Sequence, residues 1–249
     1  MKDLLAYVNQ LDIRKSKSTY PALKEASEDI KLKPDENQTF AADKSLVSFT
    51  AGISKENRQD VLDSMLLAQL AANHQYPDES KIIDWYNEFT NVLSAIGWTV
   101  EDKNNSTFKA NKDVIEVEKA VITILTAAFG SALIPIILLT LKSIKELGAN
   151  KTKFIAFEKS THSEKRGAFQ IAHAVETDSS VTVQMGTFLI SSKKEIKQIL
   201  FFTSSKDETS LDYYSQKVTL NKTTYGTIRN AIAKKLKAKA ADCLVEIEL

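Results

Sequence analysis

The stretch AVITILTAAFGSALIPIILLTL, residues 120–141, carries no charged side chain in a chain of which 26% is Asp, Glu, Lys or Arg. About 20 apolar residues rising 1.5 Å each cross the hydrocarbon of a bilayer, so length alone admits a membrane-spanning helix. Gly130, Ser131 and Pro135 argue against that reading, because proline removes a backbone donor and clashes with the preceding turn. The run is better read as two helices, over 114–126 and 133–147, packed inside a water-soluble fold. A chain that hides such a segment in water is able to release it later.

Downstream the pattern alternates. KFIAFEKS (153–160), AFQIAHAVET (168–177), SVTVQMGTFLIS (180–191) and IKQILFFTS (196–204) are rich in aromatic and β-branched residues and read as strands. The polar TDSS at 177–180 joins the second and third as a hairpin. In that pair Phe169, Ile171, His173 and Val175 are expected on one face, shared across the turn by Val181, Val183 and Met185. The other face presents Ala172, Ala174 and Gly186, small enough to let a helix approach, so the sheet is expected to be covered on both sides. A polar loop at 204–209, a short strand at 217–220, a helix over 223–240 and a last strand CLVEIEL (243–249) complete this half.

Upstream, 1–44 is polar and charge-rich and reads as an arm with a short helix near 3–11. Residues 45–51 (SLVSFTA) read as a strand. Val61, Leu62, Met65, Leu66 and Leu70 predict a helix over 57–74, ended by Pro77. Trp85, Tyr86, Phe89, Val92, Leu93 and Ile96 predict another over 80–96, with Gly97 as its C-terminal stop. Residues 101–113 (EDKNNSTFKANKD) read as a polar connector. Helices first and sheet second give an α+β domain over 45–249, with a mostly antiparallel sheet.

Bulk properties narrow the function. Lys plus Arg number 33 against 32 for Asp plus Glu, so no global field recruits nucleic acid. One cysteine excludes internal disulfides and cysteine-based zinc sites. The first twelve residues, MKDLLAYVNQLD, hold no apolar stretch of secretory type, so the expectation is synthesis in the cytoplasm followed by release or export by a non-Sec route. His74, His162 and His173 stand at no ligand spacing, and no nucleophile elbow, dinucleotide fingerprint or P-loop is present. Neither catalysis, nor a metal, nor a cofactor is expected. His173 reads either as a core histidine or as a pH sensor, and Cys243 as a buried thiol beside Val245 and Ile247.

Four blocks carry a resemblance: QDVLDSMLLAQLAANHQYP (59–77), AFGSALIP (128–135), AFQIAHAVETDSSVTVQMGTFLI (168–190) and KKEIKQILFFTSSKDE (193–208). Their order over 45–232 resembles the cytolytic delta-endotoxins, the Cyt family of bacterial pore-forming toxins. The resemblance implies a central antiparallel sheet between two helical layers and a non-enzymatic attack on lipid bilayers. It implies too that helices swing away, that long strands insert into or cover the bilayer as oligomers, and that proteases trim the ends, the arm at 1–44 being a candidate. The Lys-rich stretch 229–239 departs from that pattern.

Two sets of residues are then candidates for lipid contact. Strands of about ten residues suit a transmembrane hairpin, with Phe169, Ile171, Val175, Val181, Val183 and Met185 entering the membrane. On the helix 223–240, Tyr225, Ile228, Ile232 and Leu236 form an apolar stripe, while Arg229, Lys234, Lys235, Lys237 and Lys239 are placed to meet anionic headgroups. The expected function is a pore-forming or membrane-perturbing cytolysin that self-associates on a target-cell membrane. The alternative is a non-lytic lipid-binding or interaction-type virulence factor.

Overall fold

The computed structural model describes residues 3–14, 31–110, 113–147, 152–177, 180–239, 243–247 and 249. Seven strands form the main sheet: β1 (Gln38–Ala42), β2 (Ser45–Phe49), β3 (Trp98–Thr107), β5 (Arg166–Glu176), β6 (Val181–Ser192), β8 (Thr209–Leu220) and β9 (Leu244–Ile247). Their order is β3-β8-β6-β5-β2-β1-β9, and every neighbouring pair is antiparallel except β2 with β5. A separate two-stranded ribbon pairs β4 (Val114–Glu116) with β7 (Thr203–Ser205).

The β5–β6 hairpin is present, but its faces are not those expected. Glu176 stands opposite Val181, and Thr177 and Ser180 exchange backbone bonds of 2.9 and 3.3 Å. Two residues therefore separate the last paired positions, and odd residues of β5 oppose even residues of β6. Phe169 and Ile171 face Phe188 and Gly186, while Val181, Val183 and Met185 oppose Glu176, Ala174 and Ala172 on the reverse side. A one-residue difference in loop length swaps every side chain to the other face.

Helices cover both faces. On the first lies α2 (Lys55–Gln75), whose sides are buried almost all round, at sixteen of its 21 residues. Outside it pack α3 (Ile82–Ala95) and α8 (Arg229–Lys239), and the shared core joins Leu62, Met65 and Phe89 to Phe49, Val183 and Val218 of the sheet. On the second face α4 (Val117–Phe129), α5 (Ile134–Leu147) and α6 (Thr152–Thr161) set Leu125, Ile137 and Phe157 against Leu46, Phe169, Phe188 and Ile190. At Gly186 an added Cβ would stand 2.7 Å from Leu125 Cδ2 and 2.9 Å from the Phe188 ring. The close helix approach is real, but it occurs on the face opposite Ala172 and Ala174.

Several expectations are corrected. Residues 153–160 are helical, with Phe157, Ser160 and Thr161 turned inward at helical spacing; eight residues were too few to separate the two periods. In 196–204, Ile196, Ile199, Leu200 and Phe202 are buried without a ladder, and only Thr203–Ser205 pairs. The polar stretch from 101 is mostly strand β3, solvent-exposed along the sheet edge, with a bulge between Glu101 and Asn104. The strand expected over 217–220 is longer, since β8 begins at Thr209. The helix over 223–240 is two pieces, α7 (Lys222–Gly226) and α8.

The boundary at 44 falls inside the sheet. β1 is an interior strand, and α1 (Leu4–Gln10) buries Val8 against the first core, so the arm is not loosely attached over its described parts. Arg58, fully buried, donates to the carbonyls of Pro34, Glu36, Thr50 and Ile53 and to Gln38 Oε1, which fastens 34–38 to α2.

Candidate membrane-interacting surface

The apolar run is a helical hairpin. Gly130, at φ +80°, ends α4, and its N–H still reaches Thr126 O at 2.9 Å. A left-handed backbone there suits glycine, which has no Cβ to clash. The inward sides of α4 and α5 are core, but the tip is not. Ala127, Ala128, Gly130, Ser131, Ala132 and Pro135 are exposed, as are Leu138 at 45% and Leu139 at 39%. No charged side chain occurs between Lys119 and Lys142. Below the tip stands a charged collar, in which Lys119 meets Glu116 at 2.6 Å, Lys145 meets Glu118 at 3.8 Å and Lys142 meets Glu146 at 3.7 Å. Among the described residues no helix is long and apolar enough to cross a membrane.

The strand candidates are divided rather than gathered. Phe169 and Ile171 lie under the α4–α6 layer, where Phe169 stacks on Phe188 at 5.1 Å. Val181, Val183 and Met185 lie in the core of the opposite face, which α2 and α3 share, each fully buried. Val175 alone of the six is exposed, at 36%. The hairpin end is pinned to the start of α2, since Glu176 accepts from Ser54 N–H at 2.8 Å, from Asn57 Nδ2 and from Lys222 Nζ at 3.1 Å. A charge at Val183 would enter the core, so it cannot probe membrane insertion apart from folding.

His173 is 4% exposed, and its Nδ1 makes no hydrogen bond. Burial pushes its pKa down to about 4, so the ring is neutral at physiological pH. Its register neighbours are Ser48 on β2 and Gln184 on β6. Beside it Thr39 bonds both Ser48 and Thr140 of α5 at 2.9 Å, a hydroxyl chain linking this helix to the sheet.

The basic helix is partly committed to structure. Arg229 donates through Nε and Nη2 to both oxygens of the buried Asp60, each at 2.7 Å, and lies 3.1 Å from Glu56. Lys235 donates to the carbonyls of Asn9 and Leu11, closing the end of α1. Lys234 and Lys237 are exposed, and the side chain of Lys239 lies outside the described residues. The stripe of Tyr225, Ile228, Ile232 and Leu236 is buried. Cys243 is half-buried against the first core.

Two buried acids had no signal in the sequence. Burial raises Asp63 to about 6 and Glu158 to about 7, the latter despite a 2.9 Å bond from Ile199 N–H. Among the described residues no group of three His, Cys, Asp or Glu could hold a metal ion.

No family model matches the sequence, and no curated protein matches it. Some solved structures align with this chain at low identity. A delta-endotoxin is 10% identical, with a TM-score of 0.46 over 77% of this chain and 85% of that one. The Evf virulence factor is 9% identical, with a TM-score of 0.40 over 88% and 91%. The activated Cyt2Ba monomer from Bacillus thuringiensis subsp. israelensis is 13% identical, with a TM-score of 0.32 over 55% and 78%.

Proposed function

We propose that this protein is a membrane-active toxin that perturbs target-cell bilayers without a catalytic step. The observation that carries the reading is the α4–α5 tip, an exposed and uncharged surface above a ring of ion pairs. Apolar residues exposed together gain about 25 cal/mol per Å² on leaving water, and a charged collar sets the depth at which they stop. The exposed lysines Lys234 and Lys237 are a second, weaker contribution to anionic lipid.

Lysis on this proposal needs the layers to part. Lifting α4–α6 would bare Leu46, Phe169, Ile171, Phe188 and Ile190, all under 4% exposed. At roughly 1.5–3 kcal/mol each this costs about 7–15 kcal/mol in water, comparable with the whole stability of a domain. The cost disappears where lipid replaces water, which confines the rearrangement to the bilayer surface. Self-association on this proposal runs through the sheet border at β3, which pairs on one side only among the described residues.

Dye release from liposomes tests the reading. Leu138→Glu with Leu139→Glu is expected to abolish leakage while leaving thermal unfolding within a few degrees of the parent, since both side chains face solvent. Undiminished leakage in the double variant removes the tip from the mechanism. A fatty acid recovered from the denatured protein, with no leakage by the parent, would favour a lipid carrier instead.

A further inference from the structure

A second site is built at the end of the sheet opposite the 177–180 turn. There the β1–β2 turn, the first residues of β5 and the last of β6 meet the starts of α3 and the end of α6 around a cavity of about 210 Å³. We propose that this cavity binds a phosphate group, as a monoester or diester.

Two cations from separate elements line it. Lys44 sits in the β1–β2 turn, where its own N–H donates to Gln69 Oε1 and its carbonyl accepts from Gln170 N–H, both at 2.9 Å. Its ammonium lies over the Trp85 ring, 5.3 Å from the centroid. Arg166 opens β5, and its guanidinium makes no hydrogen bond or ion pair with a described residue. The carboxylate that feels its charge, Asp78, accepts from Ser80 N–H at 2.8 Å and lies below the usual carboxylate range chiefly for that reason.

The hydroxyls sort in the same sense. Ser160 donates to Asp43 O at 2.7 Å and Thr161 to Glu158 O at 3.0 Å, so both close the floor. Ser191, exposed at the end of β6, bonds its O–H to no described residue. The cavity thus offers a planar Arg fork, a point charge and a hydroxyl donor, with no buried carboxylate among its lining residues. An Arg fork matches two phosphate oxygens at once, and Lys neutralises the remainder. Ile82 and Leu189 supply an apolar wall for an organic substituent. The cavity has room for a phosphate group.

This site does not depend on the membrane reading. Isothermal titration of the full chain with inorganic phosphate and with glycerophosphoethanolamine, at matched ionic strength, tests it. Binding of at least one probe is expected, weakened roughly tenfold or more by Arg166→Gln and by Lys44→Met. A diester preferred over inorganic phosphate identifies a lipid headgroup, whereas the reverse order identifies free phosphate. Absence of binding by the parent, or unaltered binding by Arg166→Gln, overturns the proposal. Arg166 is exposed, so its variant is expected to unfold like the parent, and the Leu138/Leu139 variant is expected to keep phosphate binding even where leakage is lost.

Discussion

Acid should loosen this fold through one imidazole. His173 has a pKa of about 4 in the fold against an ordinary 6.5, by burial alone, with no charged group close enough to contribute. Because the folded value lies below the unfolded one, the fold resists taking up the proton. The penalty is absent well above pH 6.5 and grows as pH falls through 6.5 towards 4. Between pH 7.5 and 4.5 the linkage amounts to about 2–3 kcal/mol of lost stability, or a shift of roughly 1 M in a urea midpoint. Asp63 at about 6 and Glu158 at about 7 act in the opposite sense, since both are raised and acid relieves the cost of burying their charge. The parent alone therefore cannot isolate the effect. Urea unfolding of the parent, His173→Gln and His173→Leu at both pH values can. Each variant is expected to lose about 2–3 kcal/mol less than the parent on acidification. Equal losses, within about 0.5 kcal/mol, would show that the imidazole does not stay neutral in the fold or is not the group responsible.

Gly186→Ala should cost about 1–3 kcal/mol in the same assay, because its methyl would meet Leu125 at 2.7 Å and the Phe188 ring at 2.9 Å in a packed core; a neutral result would mean that the two side chains move aside at no cost. Arg229→Met should cost about 2–4 kcal/mol by leaving Asp60 buried and unpaired, while Lys237→Ala should stay within about 0.5 kcal/mol. Similar effects from the two would return Arg229 to the exposed, lipid-directed set.

Strong periodicity made some of this architecture readable in advance. α2 and α3 follow their apolar spacing, and Gly97 at φ +104° stops α3 where it was expected. β5 and β6 were legible as strands, but not their pairing, because register depends on loop parity and not on composition. β3 was hidden by the absence of any buried face over most of its length, so it shows no alternation. The parallel contact between β2 and β5 joins positions over a hundred residues apart and leaves no local mark.

The candidate surface divides in the same way. The missing charge between Lys119 and Lys142 announced an unusual segment, but packing alone decides that Ile137 and Leu141 turn inward while Leu138 and Leu139 turn out. Arg229 and Lys235 looked like free surface cations because their partners, Asp60 and Asn9, are 169 and 226 residues away. No window along the chain contains both members of either pair.

β9 is four residues long and shields one border of the sheet. Beneath it β1 is buried at all five positions, a short ribbon whose outward amides and carbonyls bond β9 from Thr39 to Ala42. Stripping away that small guard would convert a sealed margin into an adhesive one, ready to accept a strand from a neighbouring copy. A protease acting near residue 243 would then do more than shorten the chain: it would leave β1 as the new border of the sheet.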